Sequence, residues 1–317
     1  MDINTIQELH ALHFISDEQR EKLSRVYSND VFSLRFELRC VLYVGVLLLV
    51  TGLIMFAYDN IYTFGQQIHV FMLVIMASSC FAFTVGEGQS FSRKRVTRSD
   101  SAHDLILLLG CLLLALTLGY AEYAFALFSG EWELVGLVIG IIAIAFAYRY
   151  DHRGVLALGI VSLALAIGLT VAPMALLRRG FVAASELVSV GLAFGTLLLV
   201  VAWWLDFSNI KKHFTILYLH LGADILFIAC LAAIVTQEHK MPFVLLLSLL
   251  SCCGAYYAKW ARTFSILLIT SIYCYSAASY LVTRFITDTT TQSMYILVSC
   301  IMTMAVLFIF RRVLLTK

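Results

Sequence analysis

His220 and Asp224 stand four residues apart inside an otherwise apolar stretch, YLHLGADI. On a helix that spacing puts both side chains on one face. An ionisable group inside a membrane-spanning helix is costly to keep, so it is a candidate for function by default. The pair could relay protons or bind a cation, the neutral imidazole donating to the carboxylate. It could equally hydrogen-bond within itself, or to Ser and Thr on neighbouring helices, and lock a bundle. Other ionisable groups lie nearer the predicted helix ends. His103 and Asp104 open a helix beside the most basic loop and are expected to pair with it. Glu122, Glu131 and Glu133 make another loop acidic, either as a vestibule attracting cations or as a solvated loop. Glu186 could pair with Arg178 or Arg179, while His69 and Asp59 carry little signal.

Nucleophile and metal chemistry find no support in the residue spacing. A Gly-x-Ser-x with a distant His, an intramembrane His-Glu-x-x-His and a paired-Asp protease signature are all missing. His69 or His103 could be assigned an acyltransferase role only without supporting neighbours. The eight cysteines fall inside or at the edges of apolar runs, where thiols behave as small apolar groups. Their spacing supports neither a disulfide framework nor zinc. No cofactor, metal or nucleic acid is implied.

The elements that hold these residues are dictated by hydropathy. Charged residues are 13% and hydrophobic residues 61% of the chain, against about a quarter and under half in soluble domains. A hydrocarbon core about 30 Å thick needs roughly 20 apolar residues in a helix. Ten stretches reach or approach that length: 40–58, 68–85, 104–122, 134–149, 154–172, 187–205, 214–235, 241–258, 264–283 and 293–310. Period-two alternation of a barrel is absent, so each run must be a helix that satisfies its own backbone.

Loop charges orient the chain. With the N-terminus in the cytoplasm, 18 of the 22 Lys and Arg residues fall on that side. Arg178, Arg179, Lys240 and Arg284 remain on the opposite face. An odd helix count would spoil the pattern. Trp132, Trp203, Trp204 and Trp260 all sit at predicted helix ends, where an indole meets both lipid and water. The segment 173–186, with its two arginines on the outer face, reads as a loop or a short surface helix. The first apolar run lacks a cleavage site and reads as a signal anchor.

Within the spans, Gly136 and Gly140, and likewise Gly191 and Gly195, form small-x-x-x-small pairs suited to helix packing. Only two prolines occur, so broken transport helices are not evident. Tyr256, Tyr257, Tyr273, Tyr275 and Tyr280 could line a polar cavity or satisfy one another across helices.

Residues 1–38 differ from everything that follows. Ile3, Ile6, Leu9 and Leu12 recur at helical spacing, and Ser16-Asp17-Glu18-Gln19 forms a capping box for a second helix bearing Leu23, Val26 and Tyr27. The result is a helical hairpin too small to fold alone. It is either a tethered cap or a protein-binding module with Leu9, Ile15, Ser16, Gln19 and Leu23 as its contact set.

This stretch resembles the opening of a large family of bacterial membrane proteins of unknown function, whose head reads L-x-x-x-G-x-I-S-x-E-Q-x-x-x-L. Leu9, Ile15, Ser16, Glu18, Gln19 and Leu23 match it, with His13 in place of the glycine. Gly45, Gly52 and Asn60 match the family's first helix, while Ile61 replaces its Trp. The likeness covers roughly the first 65 residues. It implies a bacterial inner-membrane protein and no activity.

The expected fold is therefore all-α: a polytopic transmembrane bundle of about ten helices at 39–310, a cytoplasmic hairpin and juxtamembrane segment at 1–38 and a cytoplasmic tail at 311–317. The expected function is that of a non-enzymatic protein of the inner (plasma) membrane whose head docks a protein partner. The alternative is a transporter of a small solute, ion or lipid using Asp224 and His220. The lipid bilayer is a partner in both.

Overall fold

A computed structural model describes His10, Ser16 and residues 34–59, 65–86, 101–168, 180–261 and 263–315. Of the head, Ser16 is exposed outside any helix. Leu9, Ile15, Gln19 and Leu23 lie outside the described residues, as does the whole of the basic loop at 93–98.

Among the described residues there are ten α-helices and no strand. We label them α1 (Leu34–Asp59), α2 (Gln66–Gly86), α3 (Ser101–Phe125), α4 (Trp132–Tyr150) and α5 (Arg153–Ala166). They continue with α6 (Gly180–Ser208), α7 (Thr215–Thr236), α8 (Met241–Ala261), α9 (Phe264–Thr283) and α10 (Thr289–Leu315). A one-turn 3₁₀ helix, Lys212–Phe214, leads into α7. Eight of the ten are long and apolar enough to cross a membrane; shorter apolar stretches lie in α1 (Cys40–Phe56) and α5.

α5 departs from the expected 154–172. It stops at Ala166, because Ile167 leaves the helix and Gly168 follows with φ +77°, in the left-handed region. Fourteen residues rise about 21 Å, short of a hydrocarbon core. α6 in turn starts at Gly180, not 187, and contains Glu186. Hydropathy alone sees apolar residues on both sides of Gly168 and has no means to place the break.

Three consecutive pairs form tight antiparallel hairpins: α6 with α7, α4 with α5 and α2 with α3. Glycine permits the closest two. A Cβ on Gly140 would lie 2.7 Å from the Leu163 side chain, and one on Gly159 3.1 Å from the Ile144 backbone nitrogen. Across α6 and α7, a Cβ on Gly195 would lie 3.0 Å from the Gly222 carbonyl. Gly136 faces the Ser162 carbonyl at 2.9 Å in the same sense, and Gly191 is buried on α6. In lipid, where apolar burial gives no drive, such contact surfaces are what hold helices together.

The largest core joins α3 through α7, centred on Leu107, Leu156, Leu205 and Phe214. A second core ties α7 to α8 and α9 through Phe227, Cys230, Leu247 and Ala277. α10 stands apart: none of its described side chains is buried, and Tyr275 on α9 reaches it through the Ile296 carbonyl and Ser299. The four tryptophans are all exposed, between 53% and 74%, near helix ends.

Candidate functional site

Two polar groupings stand out, and only one of them was legible as a candidate in the sequence. The first gathers at the end of the bundle where α4 turns into α5 and α6 into α7. Asp151 caps α4 with φ +65°, and Lys211 begins the 3₁₀ turn with φ +48°. Non-glycine residues hold that conformation at a cost of about 1 kcal/mol or more. What holds them is charge. Lys211 Nζ lies 3.2 Å from Asp151 Oδ1, and His213 Nε2 lies 2.6 Å from the same oxygen. The lysine is 1% and the aspartate 4% exposed. A buried ion pair costs desolvation of both groups, so this one acts less as a source of stability than as a register key. It allows one docking of the α4–α5 turn on the α6–α7 turn.

Around it the same end closes further. His152 caps α5 by accepting from the Val155 N–H at 3.0 Å through Nδ1, and its Nε2 lies 3.4 Å from the Tyr43 hydroxyl on α1. His103 on α3 is 1% exposed, with Nε2 3.4 Å from the Thr84 carbonyl of α2 and its ring against Tyr150. Tyr148 donates to Tyr218 at 3.2 Å, joining α4 to α7. Burial pushes the His152 imidazole below its ordinary value; Asp104 opposes this in part and His103 adds to it. The imidazole is therefore neutral, as its capping role requires.

The opposite end holds Glu122, which is not a solvated loop residue. It is 3% exposed and accepts from the Phe128 and Gly130 N–H groups, both at 2.6 Å. Its carboxylate thus staples the turn between α3 and α4, whereas Glu131 and Glu133 are exposed. His69, also buried, meets the Gly65 carbonyl at 2.9 Å and packs against Phe56 and Tyr120. Lys240 and Arg284 converge on the Tyr280 ring, at 5.7 and 5.4 Å.

The second grouping is the one the sequence singles out. His220 and Asp224 lie on α7, but the imidazole makes its hydrogen bonds elsewhere: Nδ1 with the Ile216 carbonyl at 2.7 Å and Nε2 with Ser265 on α9 at 2.9 Å. Asp224 is half-buried and interacts with both the His220 imidazole and the Tyr273 hydroxyl on α9. Each residue of the pair thus ties α7 to α9. Beside them lies a cavity of about 540 Å³ between α6, α7, α8 and α9. Its wall includes His220 and Thr270 but is otherwise built of residues such as Leu219, Leu226, Phe227, Leu250 and Ile269. Neither Asp224 nor any other charged residue is among the lining residues.

In comparison with known proteins, residues 7–156 fit the model of a family described as "Predicted membrane protein (DUF2157)". No curated protein and no solved structure matches the chain. The chain is a multi-pass membrane protein. The matched segment runs from the head to the first turn of α5 and so contains Asp151, His152 and His103, while Lys211, His213 and the α7–α9 cavity lie beyond it.

Removing one partner of a buried pair strands the other. Asp151→Ala should therefore lose about 3–5 kcal/mol of stability, and Asp151→Ala with Lys211→Met should regain much of it. Thermal unfolding in detergent reads both, and a single variant as stable as the parent would remove Asp151 from this role. His152 adds a pH dependence. Its folded value is lowered, so its contribution is complete above about pH 6.5, the ordinary imidazole value, and declines as pH falls below that. His152→Asn keeps a capping acceptor and should flatten this part of the melting-temperature profile between about pH 7.5 and 5.5. Equal slopes in the two proteins would refute it.

Proposed function

We propose that the protein is a non-enzymatic, multi-pass protein of the inner (plasma) membrane that docks a protein partner through its cytoplasmic head. The head and juxtamembrane segment occupy 1–38, the bundle 39–310 and the tail 311–317, with both termini in the cytoplasm. One observation carries the reading. Tyr43, near the start of α1, meets His152 at the end of the bundle closed by Asp151 and Lys211. The head therefore joins the bundle at that end, beside turns that bear Arg149, Arg153, Lys211 and Lys212.

That end has the charge expected of a cytoplasmic face. Its polar groups are spent on holding turns together, which suits a rigid platform rather than a moving gate. The family match, which takes in head and helices together, supports treating the head as an integral part of the protein.

Removal of residues 1–33 leaves α1 intact and should cut recovery of a cross-linked partner by roughly tenfold, the scale of losing a hot-spot cluster. Membrane insertion should be unchanged. Full recovery of the same partner without the head would sink the proposal.

Transport of a small solute, ion or lipid is the second reading, favoured by the place of His220 on the cavity wall. Its weakness is that Asp224 is turned to Tyr273 and is not part of that wall. Proton flux into proteoliposomes that Asp224→Asn abolishes while folding persists would establish it; no flux in the parent protein would end it.

A further inference from the structure

The cavity beside His220 is confined to one half of the bundle. Its α7 wall runs from Leu219 to Phe227, roughly 6–18 Å from the start of that helix at the Lys211 end. Its α9 wall, Ile266 to Thr270, lies in the first two turns of α9, at the same end. The cavity is thus as deep as one bilayer leaflet and does not extend across the bundle.

It also opens sideways. Tyr256, Cys252 and Cys253 on α8 line it and are exposed. At this depth what they are exposed to is lipid. One turn closer to the helix end, on the stripe that carries Cys252 and Tyr256, comes Lys259, with Trp260 beside it at 74% exposure. That is the height of the phosphates, where lysine and tryptophan anchor a helix.

The geometry points to a binding site for one anionic phospholipid, an acyl chain in the cavity and the phosphate at Lys259. A volume of about 540 Å³ lies within the range of sites that enclose a small ligand. Left empty, its walls would forgo dispersion contacts that a chain restores. Hydrocarbon gains little by leaving one apolar medium for another, so the choice between lipids falls to the headgroup. One lysine near the surface corresponds to about a fivefold preference for an anionic over a zwitterionic lipid. The polar contacts of His220 within the wall are already made, to Ser265 and the Ile216 carbonyl, which leaves the cavity an apolar lining. The hydroxyls of Thr270, Tyr256 and Tyr257 are few against that wall, which suits an acyl chain better than a small polar solute.

This site is independent of the head and its partner. The test is native mass spectrometry of the full chain released from vesicles holding equal phosphatidylglycerol and phosphatidylcholine. The expected result is one retained lipid per chain, phosphatidylglycerol favoured about fivefold. Ala223→Phe fills the cavity and should lose that lipid. Lys259→Gln changes an exposed residue, so it leaves packing intact, and should retain a lipid with the preference gone. Equal retention by the parent and Ala223→Phe overturns the assignment. So does a parent that holds both lipids alike, or a lipid-free dimer that Ala223→Phe dissociates, which would make the cavity a contact between copies. Cross-linking of a head-bound partner should be the same in all three proteins, which separates a failure here from a failure of the docking proposal.

Discussion

Asp151 is a carboxylate placed where a bilayer protein can least easily leave one alone, in a turn packed under its neighbours at the edge of the hydrocarbon. Lys211 and His213 answer it from another turn sixty residues further along the chain. The arrangement depends on its completeness. Any slide of α6–α7 against α4–α5 would bury a charge without its counterpart, which costs more than the pair contributes when intact. Two of the left-handed residues, Asp151 and Lys211, are held in place by the same contact. Much of the bundle follows from this. α3, α4, α5, α6 and α7 share one core, and the ends of α1, α2 and α3 are keyed to it by Tyr43, Thr84 and His103.

The glycine contacts and the ion pair divide the work. Gly140 with Gly159, and Gly195 with Gly222, let each hairpin close to backbone contact along its length. They set separation but distinguish poorly between registers, since the surrounding surface is apolar throughout. The charged turn sets register and leaves separation to the glycines. Among the described residues beyond α7 there is no second turn of this kind. α8 and α9 pack on α7 through an apolar core, to which the His220–Ser265 contact adds one polar tie between α7 and α9, and the cavity lies in that looser region. α10 is looser still, held to α9 at Tyr275.

Helix number and approximate bounds were readable because each span needs its own run of apolar residues, and loops need charge. His220 and Asp224 were also readable, as ionisable groups at the wrong depth. Their partners were not. Spacing places the two on one face of α7, where they act on each other, yet each also reaches to α9, through Ser265 and Tyr273. Glu122 looked like one of three loop acids because Glu131 and Glu133, both exposed, follow in the same connection; the tight turn at Ala126–Gly130 folds its N–H groups back onto the carboxylate. Lys211 stood in a short loop and counted only as a topology signal, while Asp151 and His213 stood in short loops where no spacing marked them.

The sequence by itself determined that this chain lives in a membrane as a helical bundle, because hydrophobic length and loop charge act on each segment separately and require no knowledge of its neighbours. Tertiary structure alone decided which charges are buried together, where α5 stops and where space is left between helices. Those outcomes belong to pairs of segments far apart in the chain, and a linear pattern carries no information on which of them meet.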